Sequence, residues 1–454
     1  MKPYFAFLLC GLLLHGAVQA SPQSAASKNA RRVPNTDQVL RAVLDHPTQA
    51  LASLSVIAIR DGNVVYEKQF GRRYIHGADT TKDLSVNVNT LYRIASVSKM
   101  VASIGAMCLV EQGKLDLDAD ISRYLGFRLR NPHFPEVAIT ARMLLTHTSS
   151  LRDGAQYNFP ANVSMQSLLL PGAAQYGDGA QWAKKRDGEH LAPGKFFSYV
   201  NLNWGVLGSV MEAASGQRFD HFMRDTVLKP LHIAGGYNPE ELSAEELSDL
   251  AVLYRKKKEH DVIWNPAGPW VAQVDDYRAR AVVKRAGLEN YIPGSNATIF
   301  SPQGGSRISV QGLSSLMRML MNQGELDGVR LLQPASIKTL LSEQWRYDVA
   351  RKNGDSDRGL FLSWSLGFQR FSDVSAPHYG DRLVQGLPRF TGFGHLGEAY
   401  GLQSGFMFDP QTRNGMIFAI GGVSADSAGN FGEYSSLSPW EEKILTALHE
   451  EIHQ

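Results

Sequence analysis

A serine and a lysine stand three residues apart in Ser96-Val-Ser-Lys99, the only Ser-x-x-Lys of the chain. The apolar spacing from Val97 to Gln112, closed by Gly113, predicts an amphipathic helix. Residues three apart on a helix share a face, so the Ser96 hydroxyl and the Lys99 amine would lie together at its N-terminus. A lysine whose pKa is lowered by burial can accept the serine proton and create a nucleophile. The alternative is a serine that caps the helix beside a solvated lysine.

A second pair is found in Gly194-Lys-Phe-Phe-Ser-Tyr199-Val-Asn201, the only Tyr-x-Asn of the chain. Residues two apart in extended chain point the same way. A phenol held beside an ammonium ionises more readily and can act as a general base, and an amide can orient a lysine or a substrate carbonyl.

A third segment, Gly394-His395-Leu-Gly397, lies on a predicted strand. Together with the two pairs and with the segments at 139–149 and 302–305, it resembles the penicillin-recognising serine hydrolases, which include class C β-lactamases, D,D-carboxypeptidases and related esterases. The resemblance extends from about Leu54 to the C-terminal helix. It implies an α/β, β-lactamase-like fold and hydrolysis through an acyl-serine.

The resemblance also assigns roles to individual residues. Ser96 would attack a carbonyl, Lys99 and Tyr199 would share the proton transfers, and Asn201 would position the acyl substituent. The backbone N–H groups of Ser96 and Glu398 would form the oxyanion hole.

Two residues of the strand motif have implied roles of their own. His395 would line the pocket. Gly397 would leave room for a substrate along the strand edge.

The chain departs from the family pattern in its third motif. Class C β-lactamases usually carry Lys-Thr-Gly on that strand, and this sequence has no such tripeptide, which argues against efficient β-lactam hydrolysis. Histidine there is similar to some D,D-peptidases and D-amino-acid amidases. His378-Tyr-Gly380 is a rival with the same spacing, but Gly394 and the apolar strand favour His395. The Ser-Asp-Asn element of class A enzymes is absent, which favours Tyr199 for the middle motif.

Composition indicates an ordinary folded protein, with 43% hydrophobic and 20% charged residues and a formal net charge of +2. This balance gives no basis for a nucleic-acid partner, and the basic run at 255–258 is typical of a solvated surface. We expect a small-molecule or short-peptide substrate, without a metal or an organic cofactor. The sequence leaves the oligomeric state open.

The N-terminus has the pattern of a signal peptide over residues 1–20, with Lys2, an apolar run and a small-residue end at Ala17-Val-Gln-Ala20. The mature protein would be exported, to the periplasm or the medium, and not integrated in a membrane. Cys10 would leave with the signal, so Cys108 would remain as a free, buried thiol. A flexible lead would follow over 21–35.

The remaining chain, 36–454, is expected to form one hydrolase domain. Strands near both ends, including a hairpin at Asp61-Gly-Asn63, predict a mainly antiparallel sheet with flanking helices. The sheet lobe would comprise 36–95 and 345–454, and a mostly helical lobe, 96–344, would be inserted. A helix capped by Thr36 and a last amphipathic helix after Ser438-Pro439 complete the pattern.

Three other features of the sequence could indicate a different site or role. His449-Glu-Glu-Ile-His453 matches a helical zinc motif, but its helix already has a buried face and ends with the chain, which favours coincidence. His147 suggests a Ser/His/Asp triad, yet no Gly-x-Ser-x-Gly occurs, and a structural role is favoured. The aromatic insert from Trp264 to Trp270 is either a lid or a packed surface loop.

These observations predict an exported serine hydrolase that cleaves an amide or an ester through an acyl-enzyme on Ser96. D-amino-acid-containing peptides are the favoured substrates. A carboxylesterase or a weak β-lactamase with the same residues is the first alternative. A catalytically idle relative that only binds ligands is the second.

Overall fold

The computed structural model describes residues 35–184, 189–258, 261–278 and 280–454. The expected signal peptide over 1–20 and nearly all of the expected lead over 21–35 lie outside these residues. Thr36–Gln454 form one compact unit. The division of this unit into the lobes 36–95 with 345–454 and 96–344 stays a prediction.

The described residues form eleven α-helices. In chain order they are α1 Thr36–Leu44, α2 Val97–Glu111, α3 Ser122–Leu125, α4 Ala141–Leu145, α5 Met165–Leu169, α6 Leu202–Ser215, α7 Phe219–Met223, α8 Ala244–Asp249, α9 Val310–Met321, α10 Pro334–Leu341 and α11 Pro439–His453. Within the described parts of the chain, no helix is both long and apolar enough to cross a lipid bilayer.

The strands begin and end as follows: β1 Ser53–Arg60, β2 Asn63–Tyr74, β3 Leu84–Ser85, β4 Tyr92–Arg93, β5 Leu253–Lys256, β6 Trp270–Val274, β7 Arg307–Ile308, β8 Glu325–Leu326, β9 Val329–Arg330, β10 Trp345–Arg346, β11 Ser363–Trp364, β12 Gln369–Phe371, β13 Gly392–Ala399, β14 Leu402–Asp409, β15 Asn414–Ile420 and β16 Gly422–Val423.

The main sheet combines strands from both ends of the chain, as the sequence predicts. Its order is β10-β11-β12-β13-β14-β15-β1-β2-β3, and neighbouring strands are antiparallel. The predicted hairpin turn is present, with Asp61 and Gly62 both at positive φ (47° and 77°), the conformation that two-residue hairpin turns require.

Strand β1 separates two hydrophobic cores because alternate side chains of a strand point to opposite faces. Ile57 and Ile59 join the core that contains α2, α6 and α9, whereas Val56 and Ala58 join the core beneath α1 and α11. The predicted buried face of α11, which includes Trp440 and Ile444, is confirmed.

The prediction that α2 is amphipathic is wrong. Every residue from Val97 to Leu109 is buried, because α2 lies inside the first core and contacts α6, α10 and strand β13. A helix with no exposed face cannot leave a lysine in solvent, so the position of Lys99 is itself set by this packing. Cys108 is free and buried in the same helix, as predicted.

The insert between β5 and α9 was not predicted to contain a sheet. Strand β5 pairs antiparallel with β6 and parallel with β16. The Arg255 guanidinium packs on the Trp264 ring and the Lys256 ammonium on the Trp270 ring, at 4.9 and 5.2 Å from the ring centres. Neither tryptophan lines the cleft that contains Ser96, so the structure favours the packed-surface alternative.

Candidate active site

A cleft of about 660 Å³ opens where the start of α2, the start of α6 and strand β13 meet. Six of the seven residues that the sequence singles out line it: Ser96, Tyr199, Asn201, His395, Gly397 and Glu398. The seventh, Lys99, is fully buried directly behind Ser96. The structure therefore brings together residues that are up to about 300 positions apart in the chain.

Ser96 occupies the N-cap position of α2 but does not cap the helix. Its backbone is already helical (φ −67°, ψ −12°), and its side chain makes no capping hydrogen bond. The hydroxyl instead meets the Lys99 ammonium nitrogen, with 2.9 Å between Nζ and Oγ. The alternative of a capping serine beside a solvated lysine is therefore wrong.

Lys99 has three oxygen partners and no contact with solvent. Its Nζ lies 2.9 Å from Ser96 Oγ, 2.8 Å from Asn201 Oδ1 and 3.1 Å from the carbonyl oxygen of Gln303. Burial penalises the charged amine and lowers the pKa of Lys99 to about 7, against a smaller opposing effect of the Asp153 carboxylate. A substantial share of Lys99 is thus neutral near pH 7 and can accept a proton from Ser96.

Asp153 fixes the amide of Asn201, and the sequence analysis missed it. The Asn201 Nδ2 group donates to one Asp153 carboxylate oxygen at 2.9 Å, and the backbone N–H of Leu202 donates to the other at 2.8 Å. The Asn201 carbonyl oxygen must then face Lys99. No local spacing links Asp153 to a residue 48 positions away, so only the fold could reveal this contact.

Tyr199 is held by aromatic rings on both of its faces. The His147 ring stacks on one side, with ring centres 4.4 Å apart, and the Phe361 ring on the other, at 5.1 Å. Burial raises the pKa of the Tyr199 phenol, while a hydrogen bond with the Ser96 side chain opposes this rise. This direction is opposite to the ready ionisation expected beside an ammonium, because the burial of the phenol outweighs the other effects.

His147 has the structural role that the sequence favours. It is buried, and its Nδ1 accepts the backbone N–H of Val200 at 2.9 Å, which anchors the segment that carries Tyr199. Burial, followed by the nearby Lys99 and His395, holds the pKa of His147 well below its usual value. The neutral ring adds no charge to the site.

His395 projects from β13 into the cleft, whereas His378 lies in an exposed turn and contacts the carbonyl oxygen of Gly432. The Nδ1 of His395 lies 2.5 Å from the carbonyl oxygen of Leu396. Since a carbonyl only accepts, Nδ1 carries the ring proton and Nε2 is an acceptor. Burial, reinforced by Lys99, lowers the pKa of His395 to about 3.

Strand β13 has a free edge beside Ser96. Residues Gly392–Gly394 pair with β12, but from His395 to Ala399 the strand pairs only with β14. Ser96 and Glu398 both line the cleft beside this edge, and the oxyanion role expected of their N–H groups stays a prediction.

The packing of strand β13 gives Gly397 a reason to be small that the sequence analysis did not include. A Cβ at this position would lie 2.5 Å from Ser404 Oγ, 2.7 Å from the Ile94 carbonyl oxygen and 3.1 Å from the Ser96 nitrogen. The glycine therefore allows β13 to approach the backbone before α2. Gly397 also lines the cleft, and its expected role in leaving room for a substrate stays a prediction.

One group of potential metal ligands occurs among the described residues, and it lies outside the cleft. Asp220, His221 and Glu241 cluster together, but Arg218 and Arg224 already pair with the two carboxylates. His449 is buried on α11 with its ring 4.4 Å from that of His453.

The chain is similar to known proteins in sequence and in fold. The Beta-lactamase family model matches residues 36–429. The chain is 24% identical over 205 residues to "Protein flp" of Staphylococcus aureus strain N315, which covers 45% of this chain and 38% of that protein. The matched part of the chain thus spans little more than a third of the length of this relative.

Two further similarities cover more of the chain. A "Putative D-alanyl-D-alanine carboxypeptidase" of Escherichia coli K12 is 23% identical over 333 residues, 70% of each chain. The D-amino acid amidase of Ochrobactrum anthropi SV3, solved with L-phenylalanine amide, superimposes with a TM-score of 0.61 at 16% identity, over 92% of this chain and 98% of the amidase. At that identity the superposition shows a shared fold.

Proposed function

Because the chain belongs to the beta-lactamase family and is therefore a serine hydrolase, we propose that Ser96 is its nucleophile and that Lys99 activates it. The observation that carries the proposal is the 2.9 Å contact between Ser96 Oγ and a buried lysine whose pKa is about 7. A general base works best when its pKa is close to the operating pH.

The acylation step then uses the side chains of Ser96, Lys99 and Tyr199 and the backbone of Glu398. Neutral Lys99 takes the Ser96 proton while Oγ bonds to the substrate carbonyl carbon. The carbonyl oxygen becomes an oxyanion held by the N–H groups of Ser96 and Glu398. Tyr199, a protonated phenol beside Ser96, donates its proton to the leaving nitrogen or oxygen and is reprotonated through Lys99. The carbon–leaving-group bond breaks, and water later hydrolyses the ester on Ser96.

We propose amides and peptides of D-amino acids as the substrates. A leaving nitrogen must be protonated before it departs, and the raised pKa of Tyr199 keeps a proton available for this step. The E. coli relative and the amidase of the same fold carry names that point to D-configured substrates. His395, with its acceptor nitrogen in the cleft, could receive a hydrogen bond from a substrate N–H group.

A carboxylesterase activity of the same residues is the second candidate. The attack of Ser96 on the carbonyl is the same for an ester, whose leaving alkoxide needs less help from Tyr199. Rates on matched esters and amides will therefore rank the two candidates.

The test is a substrate panel with the Ser96→Ala variant as the blank. It contains D- and L-phenylalanine amide, a D-Ala-D-Ala peptide, a 4-nitrophenyl ester and a chromogenic cephalosporin. We expect Ser96-dependent turnover of the D-amides to exceed that of their L-enantiomers by about tenfold in kcat/KM, which is about 1.4 kcal/mol of transition-state discrimination. Equal rates on both enantiomers with faster ester turnover would favour the esterase.

The matched control is Ser198→Ala, since Ser198 is a second serine of the cleft whose hydroxyl donates to Asp355 at 2.9 Å. It should retain the activity. Folded protein without turnover of any substrate, in which no serine reacts covalently with a fluorophosphonate, would favour the ligand-binding alternative.

We further propose that residues 1–20 direct export. N-terminal sequencing of the protein recovered from outside the cytoplasm of a bacterial host should begin at Ser21. Recovery of the intact N-terminus inside the cell would contradict this.

A further inference from the structure

One wall of the cleft carries several hydrogen-bond donors that have no acceptor among the described residues. It is formed by Arg93, Tyr157, Asn158 and Tyr400, which all line the cleft with Ser96. Arg93 stands three residues before Ser96, and its guanidinium packs on the Tyr400 ring at 4.8 Å from the ring centre. We refer to these four residues as the Arg93 wall.

The guanidinium of Arg93 is only partly used by the protein. Its Nε donates to the carbonyl oxygen of Gly304 at 3.1 Å. Within the described part of the chain, neither Nη group has a hydrogen-bond acceptor or an ion pair, and the same holds for the hydroxyls of Tyr157 and Tyr400. The two Nη groups are thus available to a ligand that lies in the cleft.

Among the described residues, no carboxylate forms an ion pair with Arg93. Asp275, whose charge acts on Arg93, is engaged on both oxygens by Arg307, at 2.7 and 3.1 Å. Arg307 is itself close enough to lower the pKa of Arg93, in addition to the effect of burial. The surroundings of Arg93 therefore carry an excess of positive charge that a bound anion would relieve.

Three of the four acids that line the cleft accept hydrogen bonds from serines, and the fourth, Asp357, is subject to the charge of Arg358. Asp355 accepts a hydrogen bond from Ser198, Glu398 from Ser427 and Glu441 from Ser438. Tyr157 of the Arg93 wall is close enough to Asp153, the partner of Asn201, for that carboxylate to raise the pKa of the Tyr157 phenol. Because Asn201 is the residue expected to position the acyl substituent, the acyl half of a substrate would lie beside the Arg93 wall.

We propose that the Arg93 wall binds a carboxylate on the acyl half of the substrate. The planar guanidinium presents two parallel N–H groups that match the two oxygens of a carboxylate. This inference rests on the proposed function, because it takes Ser96 as the acylated residue and Tyr199 as the donor to the leaving group. It specifies the substrate class further: acyl groups that end in a carboxylate, such as acidic amino-acid side chains or dicarboxylic acids.

The test compares 4-nitrophenyl hemiadipate with 4-nitrophenyl 6-methylheptanoate, in which two methyl groups replace the two carboxylate oxygens. The adipate chain is long enough to avoid rapid self-hydrolysis, and Ser96→Ala supplies the blank. We expect the wild-type protein to prefer the hemiadipate by about tenfold or more in kcat/KM, mainly through KM. Arg93→Gln should abolish this preference and change kcat/KM for the neutral ester by less than about threefold, and Arg93→Lys should restore part of it.

Arg41→Gln is the matched control, because Arg41 also packs on an aromatic ring, that of Phe70 at 5.2 Å, but lies outside the cleft. It should keep the wild-type preference. A wild-type protein that favours the neutral ester, or an Arg93→Gln variant that loses both activities equally, would overturn the inference.

A second substrate pair locates the carboxylate. The butyrate ester of 4-hydroxybenzoate carries it on the leaving half, and the butyrate ester of methyl 4-hydroxybenzoate is its neutral counterpart. If Arg93→Gln affects this pair and not the first, the assignment to the acyl half is wrong. Failure of the proposed function would look different: the wild-type protein would turn over neither neutral ester, and Ser96 would stay unlabelled by a fluorophosphonate.

Discussion

Replacing Asp153 with asparagine should move the acid limb of the pH–rate profile to lower pH. Acylation needs neutral Lys99, so kcat/KM should rise with pH through the pKa of this lysine, about 7. The negative charge of Asp153 favours the ammonium form and raises that pKa. Removing the charge makes the ammonium less favourable, so Lys99 should lose its proton at a lower pH.

The size of the shift follows from the geometry. The Lys99 Nζ and the Asp153 carboxylate are joined through one amide, by hydrogen bonds of 2.8 and 2.9 Å. Charges about 7 Å apart at an effective dielectric constant of about 20 interact by about 2 kcal/mol, which corresponds to about 1.5 pKa units. Because Asp153 is partly exposed, solvent screens the interaction, and we expect the limb to move by about 1 unit.

The assay is kcat/KM from pH 5 to pH 9 on one neutral ester, for the wild-type protein, Asp153→Asn and Asp355→Asn. The asparagine keeps an acceptor for the Leu202 N–H, which limits the change in structure. Asp355 is a cleft carboxylate that does not contact Asn201, so its variant should keep the wild-type limb. An unmoved limb in Asp153→Asn, or a limb at higher pH, would refute the assignment of Lys99 as the base.

Three further predictions concern the packing and the buried charges of the site. Gly397→Ala should lower kcat by about a hundredfold because its Cβ would separate β13 from the Ser96 nitrogen. The control is Gly304→Ala, whose Cβ would meet Ala95 at 3.7 Å, and its kcat should stay within about threefold of the wild-type value. Lys99→Met should be more stable than the wild-type protein at pH 7, by on the order of 4 kcal/mol. Lys99 keeps its proton up to about pH 10 in the unfolded chain but only up to about pH 7 in the folded protein. The difference in free energy of unfolding between Lys99→Met and the wild-type protein should therefore narrow as the pH rises between those values, which urea denaturation would measure. The His395 ring is neutral with a pKa of about 3, so the free energy of unfolding of the wild-type protein should fall as the pH drops below about 6.5. Between pH 7 and pH 5, the free energy of unfolding of His395→Gln should fall by about 2 kcal/mol less than that of the wild-type protein. Equal decreases in both proteins would contradict this.

Features encoded by local spacing were predictable from the sequence. The β1–β2 hairpin follows from the Asp61-Gly62 turn. Helix α11 begins at Pro439, directly after Ser438 as predicted, and Ser438 forms a capping box with Glu441. The pairing of β14 with β15 follows from two apolar runs around turn residues. In each case the residues that determine the structure are neighbours in the chain.

Features that depend on tertiary contact were not predictable. The carbonyl oxygen of Gln303 contacts Lys99, but a backbone carbonyl has no sequence signature. Asp153 acts through Asn201, with which it shares no periodic relation. Gly397 is explained by the approach of Ile94 and Ser96, which the strand motif alone does not reveal.

The burial of α2 is the feature with the largest consequence for the site. Its apolar spacing fits an amphipathic helix, yet all of its faces are covered because α6 and β13 pack against it from different directions. That complete burial lowers the pKa of Lys99 and turns an ordinary Ser-x-x-Lys spacing into a reactive pair.

The most direct test of this account is the rate at which an aryl fluorophosphonate modifies the protein, followed by intact mass and peptide mapping between pH 5 and pH 9. We predict one adduct, on Ser96, whose rate of formation rises through about pH 7 and falls by at least about a hundredfold in Lys99→Met. An adduct on Ser198 or another serine, or a Lys99→Met variant that reacts as fast as the wild-type protein, would contradict the claim that the buried lysine makes Ser96 reactive.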